Sequence, residues 1–369
     1  MSPERGKMDL LEQVSSFHNL HLAFLECSRG KRKTRGYMDT LFEVGEKLLS
    51  IHRQLREGKY CWGKYREFYV TDPKQRLVMA APFVDRIVHH AIHRVIEPII
   101  DVVLSDSVFA CRKGKGNRYA VLYLKQAIDI FGSSRYVIKL DVKKYFMSIS
   151  HEILMREMAG VLPDSSLNKL LKTLLESYPL YAKVSRGIPI GNLTSQLFAN
   201  FYLSSADKLA CHMLNLDYNW LQNKSRLRDG FYIRYMDDLV ILAPDKKQAR
   251  SVVNSLLQHI FERLDLDIPF SKRICLANDP VPFLGYVLSE EYVKALARNH
   301  RRYKKHVRRL QQKGALPSQQ NQVRVSYEAW CNIEKGKKPD HTLQGCLRAR
   351  SSVAAIGTME PMQVCSPSI

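Results

Sequence analysis

The sequence predicts an α+β fold, an antiparallel sheet backed by helices, and three observations predict it. Short runs rich in Val, Ile, Leu and Tyr occur at 136–142, 230–235 and 239–242, and only Met-Asp-Asp joins the last two, which reads as a hairpin. Longer segments repeat apolar residues at helical spacing. Strands and helices show no regular β–α–β alternation. In chain order, 37–55 carries Met38, Leu41, Phe42, Val44, Leu48, Leu49 and Ile51 as one helical stripe, closed by Gly58 and Lys59. The aromatic-rich 61–70 and the apolar 77–81 read as strands around an Asp72-Pro73 turn. From Pro82, the pattern Val84, Ile87, Val88, Ala91, Ile92, Val95 predicts a helix ending near Pro98. A loop at 105–118 precedes a helix at 119–131. After the strand 136–142 come helices at 151–159 and 192–213, the hairpin, a helix at 246–264 and a strand at 281–287.

The chain has 369 residues, of which 45% are hydrophobic and 25% charged, ordinary values for a globular protein with a real core. With 57 Lys and Arg against 36 Asp and Glu, the net charge is +21, which implies a polyanionic partner. No apolar run approaches the roughly 20 residues of a membrane span, and the N-terminal MSPERGKMDLLEQ is charged from the start and lacks the apolar core expected of a signal peptide. The eight Cys (27, 61, 111, 211, 275, 331, 346, 365) show no finger-like spacing, as expected of reduced thiols in a cytosol. Between Glu291 and Arg350, 15 Lys and Arg face 4 acidic residues, about half the excess charge. There, Val293, Leu296, Tyr303, Val307 and Leu310 form an apolar stripe on a helix whose other faces are basic. The last twenty or so residues lack periodicity and read as a loose tail.

Asp237 and Asp238 lie side by side at a strand–turn–strand junction, where like charges repel and a divalent metal would relieve the cost. An Asp-Asp pair by itself also reads as an acidic turn in solvent, although the apolar strands on both sides place this one beside a core. Asp141 lies within the apolar run YVIKLDV and needs a partner, or else caps the helix that follows. Together the three carboxylates form a candidate site for two Mg²⁺ ions, with Mn²⁺ as a substitute, suited to phosphoryl transfer. Consecutive strand residues point to opposite faces, so only the turn allows Asp237 and Asp238 both to approach Asp141.

LDVKKYFMSI, GIPIGNLTSQLFANFYL, YIRYMDDLVIL and PFLGY, with the upstream DPKQRLVMAAPFVDRIVHHAIHRVIEPI, resemble the ordered motifs of reverse transcriptases over about 60–287. The resemblance implies a right-hand polymerase fold. Residues 1–135 are then the N-terminal region and fingers, and 136–287 the palm with fingers elements interleaved. A basic helical thumb follows at 288–345, and 346–369 form the tail. It assigns Asp141, Asp237 and Asp238 as catalytic, with the Val142 backbone as a further metal ligand. Lys74, Arg76, Phe146, Ile190, Gln196 and Lys272 fall on nucleotide-binding positions, with Phe146 as the block to a 2′-hydroxyl. Tyr235, Met236 and the Phe283-Leu284-Gly285 segment, the basic loop Arg112, Lys113, Lys115 and Arg118, and Arg301, Arg302, Lys304 and Lys305 are expected at primer and template.

Ile190-Gly191 and Ser195-Gln196 stand where most relatives carry Gln-Gly and Ser-Pro. That form, with ACRKGKG and DRIVHHAI, resembles the reverse transcriptases of diversity-generating retroelements. The resemblance implies a bacterial or phage-encoded, cytoplasmic enzyme copying a template-repeat RNA, with errors concentrated at adenines. It also implies dNTP substrates, an RNA or cDNA primer and a small basic oligomeric accessory protein. An aliphatic Ile190 cannot supply the amide hydrogen bond expected there. The alternatives are a retron, intron-like or defence-associated reverse transcriptase, or an RNA-binding scaffold on an inactive polymerase fold. The roughly 80 residues after Val287 are too few for an RNase H or integrase module with its own core.

Overall fold

The computed structural model describes residues 9–71, 75–132, 135–178, 184–225, 227, 229–269, 280–312, 314 and 316–333, and the backbone of 273–276. Four helices, Leu10–Ser15, Phe17–Cys27, Arg35–Leu41 and Val44–Arg56, build an N-terminal layer on the long helix Phe83–Val103. Their shared core includes Val14, Leu20, Phe24, Leu48, Ile51, Ile87, Val88 and Ile92. Strands β1 (Arg66–Val70) and β2 (Arg76–Ala80) form an antiparallel hairpin beside this layer.

The central sheet has the order β4 (Phe231–Tyr235), β5 (Asp238–Ala243), β3 (Tyr136–Asp141), β6 (Arg273–Leu276), with every neighbouring pair antiparallel. Helices Asn117–Phe131, Ser204–Met213 and Lys246–Glu262 pack on this sheet. Val137, Ile138, Leu140 and Leu239 to Ala243 are nearly inaccessible, so the sheet is anchored in the core. A second antiparallel sheet, β7 (Val281–Phe283), β8 (Tyr286–Leu288) and β9 (Val293–Ala295), leads into helices Ala297–Gln312 and Pro317–Cys331. Among the described residues no helix is long and apolar enough to cross a membrane.

Several predicted elements divide differently. The stripe over 37–55 is two helices broken at Phe42-Glu43, because Tyr37 and Thr40 face the core from one and Leu48, Ile51 and Leu55 from the other. Phe42 is 80% exposed, so counting it in a single stripe was the error. Pro98 does not end its helix. Ile96 and Ile100 on either side are fully buried, and their packing holds the segment helical through a missing backbone donor. The strand expected over 61–70 begins only at Arg66. The helix expected over 192–213 breaks at Leu203 into Leu193–Tyr202 and Ser204–Met213. The strand expected over 281–287 is a hairpin, because Leu284 and Gly285 both take positive φ, 46° and 89°, as a two-residue turn of the primed kind requires. Val293 belongs to β9 and not to a helix.

The break at Leu203 brings Asn200 and Asp207 under β4. Arg234, fully buried, donates Nε to Asp207 Oδ1 at 2.7 Å and Nη2 to Oδ2 at 2.6 Å, and Tyr232 adds its hydroxyl to the same carboxylate. Two of its three remaining N–H groups go to the carbonyls of Asn200 and Met236 at 2.9 and 3.1 Å. Burial by itself would lower the Arg234 pKa, but the Asp207 carboxylate outweighs it and holds the side chain charged. Arg234→Met strands Asp207 as a buried unpaired charge and should lower unfolding stability by about 3–5 kcal/mol in urea denaturation. A paired Arg234→Met/Asp207→Leu change should recover much of that loss.

Candidate active site

The β3–β5 register sets Asp141 directly opposite Asp238. Directly opposed residues share a face of the sheet, so these two carboxylates face the same way. Tyr235 and Asp238 close the hairpin, which leaves Met236 and Asp237 as its two turn residues. Met236 takes φ 57°, a conformation usually reserved for Gly, and its carbonyl is held by Arg234. The Val142 N–H donates to the Asp237 carbonyl at 3.3 Å, which ties the turn to the end of β3. Asp237 therefore joins the other two from the turn, not from a strand.

Lys139 Nζ lies 3.0 Å from Asp238 Oδ2. The other oxygen, Oδ1, is buried without any hydrogen-bond partner. Burial pushes Asp238 up to about 6; Lys139 opposes the shift, and Asp141 and Asp237 add to it. Burial also raises Asp237, reinforced by Asp141 and opposed by Arg76 and Arg234. Among the described residues no group of three or more His, Cys, Asp or Glu forms a ready metal cage. The three Asp instead offer hard oxygen donors from one register pair and one turn, with an orphaned oxygen among them. That donor set fits a Mg²⁺ ion that keeps waters and shares substrate phosphates.

Arg76 begins β2 and is exposed, close enough to Asp237 to influence its charge. Phe146 is half-buried in the short helix Tyr145–Ser148 after β3, edge-on to Tyr145 at 5.9 Å. Its carbonyl takes the Ile188 N–H at 2.7 Å, which joins this corner to the segment leading to Ile190. Ile190 is half-buried and accepts from Met79 N–H of β2 at 3.4 Å. At Gly191, φ 122°, an added Cβ would sit 3.1 Å from Val78. Gln196 is half-buried on the following helix. Tyr235 borders the turn and Met236 lies in it, both half-buried. Phe283 is buried, and Leu284-Gly285 form the turn between β7 and β8. Lys74 and Lys272 lie outside the described residues.

The basic loop departs from expectation. Arg112 is buried, its guanidinium bonded to Asp101 and to the carbonyls of Ser105 and Val108, so it fastens the end of the long helix and is closed to a phosphate. Lys115 is likewise held on Asp106 at 3.0 Å, and burial pushes its pKa down to about 8. Lys113 is exposed beside Glu97 at 3.4 Å. Arg118 is half-buried, with Nε and Nη2 enclosed and unbonded. Arg301, Arg302, Lys304 and Lys305 are exposed on the helix whose Tyr303, Val307 and Leu310 are half-buried. Tyr303 stacks on Tyr327 of the next helix at 3.9 Å.

Sequence reasoning missed Arg234, Asp207 and Lys139. It also missed a buried chain under Ile190: Asn192 Nδ2 donates to the Tyr65 hydroxyl at 3.1 Å, Tyr65 lies 3.3 Å from His89 Nε2, and His89 Nδ1 lies 2.8 Å from Thr194 Oγ1. Burial drives His89 down to about 3, so its ring is neutral and can take the tautomer this chain requires. The lone Arg in YIRYMDD was the available signal for the buried pair.

The family model described as reverse transcriptase (RNA-dependent DNA polymerase) matches residues 71–288, over half the chain. The chain belongs to the reverse transcriptase family. Its palm is the sheet carrying Asp141, Asp237 and Asp238, within a right-hand polymerase fold. It is 23% identical over 312 residues to group II intron-encoded protein LtrA of Lactococcus lactis subsp. cremoris, covering 69% of this chain and 52% of that protein. It is 24% identical over 282 residues to protein YkfC of Escherichia coli K12, covering 65% and 72%. The chain thus spans about half the length of the Lactococcus protein. A solved apo telomerase from Candida tropicalis aligns at TM-score 0.45 and 12% identity, over 63% of this chain and 48% of that one.

Because Asp238 is raised from 3.8 to about 6 by folding, the native state holds its proton more tightly than the unfolded state. Its contribution to stability is fullest below pH 4 and falls as pH rises through that interval. In metal-free buffer, Asp238→Asn should flatten the decline of stability between pH 4 and 6, read by thermal unfolding at each pH.

Proposed function

We propose that the chain is an RNA-directed DNA polymerase of the diversity-generating retroelement kind, copying a template-repeat RNA into cDNA mutated at adenines. The observation that carries the polymerase reading is the junction of Asp141, Asp237 and Asp238, with one carboxylate oxygen left unpartnered. Divalent cations at these residues and the Val142 carbonyl would activate the primer 3′-hydroxyl and neutralise the triphosphate. The hydroxyl oxygen attacks the α-phosphorus, its proton passes to water, and pyrophosphate leaves. Arg76, across from Asp237, binds the triphosphate. Phe146 lies under the sugar and excludes a 2′-hydroxyl. Ile190, held against β2, packs on the nucleotide without hydrogen-bonding it, which relaxes discrimination. The exposed cations of helix Ala297–Gln312 hold template and primer backbone.

The substitutions at Ile190 and Gln196 support the retroelement subfamily. The intron-encoded relatives favour a second reading, a group II intron-like enzyme. Template choice and error spectrum separate the two. A small basic accessory protein belongs to the first reading and would need structured RNA to bridge two cationic partners.

Primer extension with Mg²⁺ tests the polymerase. The parent should extend an RNA-templated primer with dNTPs, and Asp237→Asn should lose at least about 1,000-fold while RNA affinity stays within about twofold. Normal extension by that variant, or none by the parent, contradicts the assignment. Ile190→Gln should lower misincorporation opposite template adenine more than opposite other bases, measured by sequencing the cDNA. An unmoved spectrum counts against the retroelement reading. Changing Arg301, Arg302, Lys304 and Lys305 together to Gln should weaken RNA binding and flatten its salt dependence by up to about four counterions. Extension at saturating template should fall much less.

A further inference from the structure

Lys139 carries the strand position two residues before Asp141 and diagonal to Asp238, so a long side chain there reaches across the catalytic face. An ordinary surface lysine would extend into water. This one keeps its side chain only 31% exposed and satisfies three neighbours at once. Its Nζ lies 3.0 Å from Asp238 Oδ2 and donates to the Pro282 carbonyl at 3.0 Å. It also sits 5.9 Å from the centre of the Phe283 ring, within reach of a cation–π contact. Two of these partners lie on the β7–β8 hairpin and one on the central sheet, so a single ammonium joins two separate sheets.

The hairpin continues the linkage outward. The Gly285 carbonyl accepts from Leu296 N–H at 2.9 Å and from Asn299 Nδ2 at 3.1 Å, at the head of the basic helix. Tyr286 donates to the Trp330 carbonyl at 2.9 Å and packs on its ring at 4.6 Å, on the following helix Pro317–Cys331. The path from Asp238 to the two C-terminal helices, of which Ala297–Gln312 is the basic one, therefore runs through Lys139 and the hairpin turn.

We propose that Lys139 is a positioning residue that locks the β7–β8 hairpin, and the primer end resting on it, in register with the catalytic carboxylates. The proposal rests on the polymerase reading, since it supposes a primer terminus to be positioned. Lys139 touches no reacting atom; it acts through Asp238 and the hairpin backbone.

Two measurements on the full chain test it, one of them independent of activity. In Lys139→Met, amide exchange of Phe283, Tyr286 and Val287 should quicken by about tenfold while the core strands stay protected. Single-turnover extension at saturating primer–template and dNTP should slow by about 10- to 100-fold, the cost of roughly an ångström of misplacement. The KM for dNTP should stay within about threefold, because the contacts of Lys139 are with Asp238 and the hairpin and not with Arg76, Phe146 or Ile190. Lys139→Arg, which keeps the charge and gains donors, should restore most of the rate. Unchanged hairpin exchange in Lys139→Met overturns the proposal, and so does a parental extension rate. Slowed extension that Lys139→Arg fails to restore, with protection lost across the whole sheet, also overturns it in favour of a purely structural role. If the parent itself does not extend primers, the polymerase reading falls, and hairpin exchange still decides whether Lys139 makes the link.

Discussion

Asp141 and Asp238 face each other across two hydrogen-bonded strands, with Asp237 one residue away in the turn, and the palm is organised around that repulsion. Opposed like charges destabilise a strand pair, and burial raises the cost. Burial first, and the neighbouring carboxylates after it, raise both Asp237 and Asp238 from the ordinary carboxylate value. Lys139 answers Asp238 on the catalytic face. Arg234 and Asp207 hold the turn from the opposite side, through the Met236 carbonyl. A sheet selected only for stability would place apolar residues at these positions. On the function proposed above, a divalent ion would relieve this charge, and the cost of holding it would become affinity for metal and triphosphate.

The fold class was legible because its strands and hairpin have local signatures. Two short apolar runs joined by Met-Asp-Asp form the hairpin they suggest, whereas Asp141, expected to need a partner inside an apolar strand or to cap the next helix, is exposed at the end of β3. Boundaries were less legible where tertiary packing overrode local rules. Pro98 continues a helix because Ile96 and Ile100 are buried on either side of it. Phe42 looked like a core residue by spacing, yet the helix breaks there and leaves it in solvent. The break at Leu203 has no local marker; it follows from Asp207 having to reach Arg234, a partner 27 residues away. The hairpin at Leu284-Gly285 did have a marker, since Gly in a short apolar run permits a tight turn.

Functional residues in the basic loop divided for the same reason. Charge alone could not separate Arg112, consumed by Asp101 and backbone carbonyls, from Lys113 on the surface. Four cations in a glycine-containing loop read alike until their acceptors are known. The basic helix was easier, since its stripe of Tyr303, Val307 and Leu310 dictated which way Arg301, Arg302, Lys304 and Lys305 must face. Lys139 escaped notice because its role depends on a carbonyl at Pro282, 143 residues away.

We propose that the three carboxylates bind divalent metal together with the nucleotide. The most direct test is Mn²⁺ binding, followed by electron paramagnetic resonance, to the full chain with primer–template and a non-hydrolysable dNTP. Two bound ions are expected in the parent and their loss in Asp141→Asn/Asp237→Asn, with nucleic-acid binding retained. Equal Mn²⁺ occupancy in both proteins would contradict it.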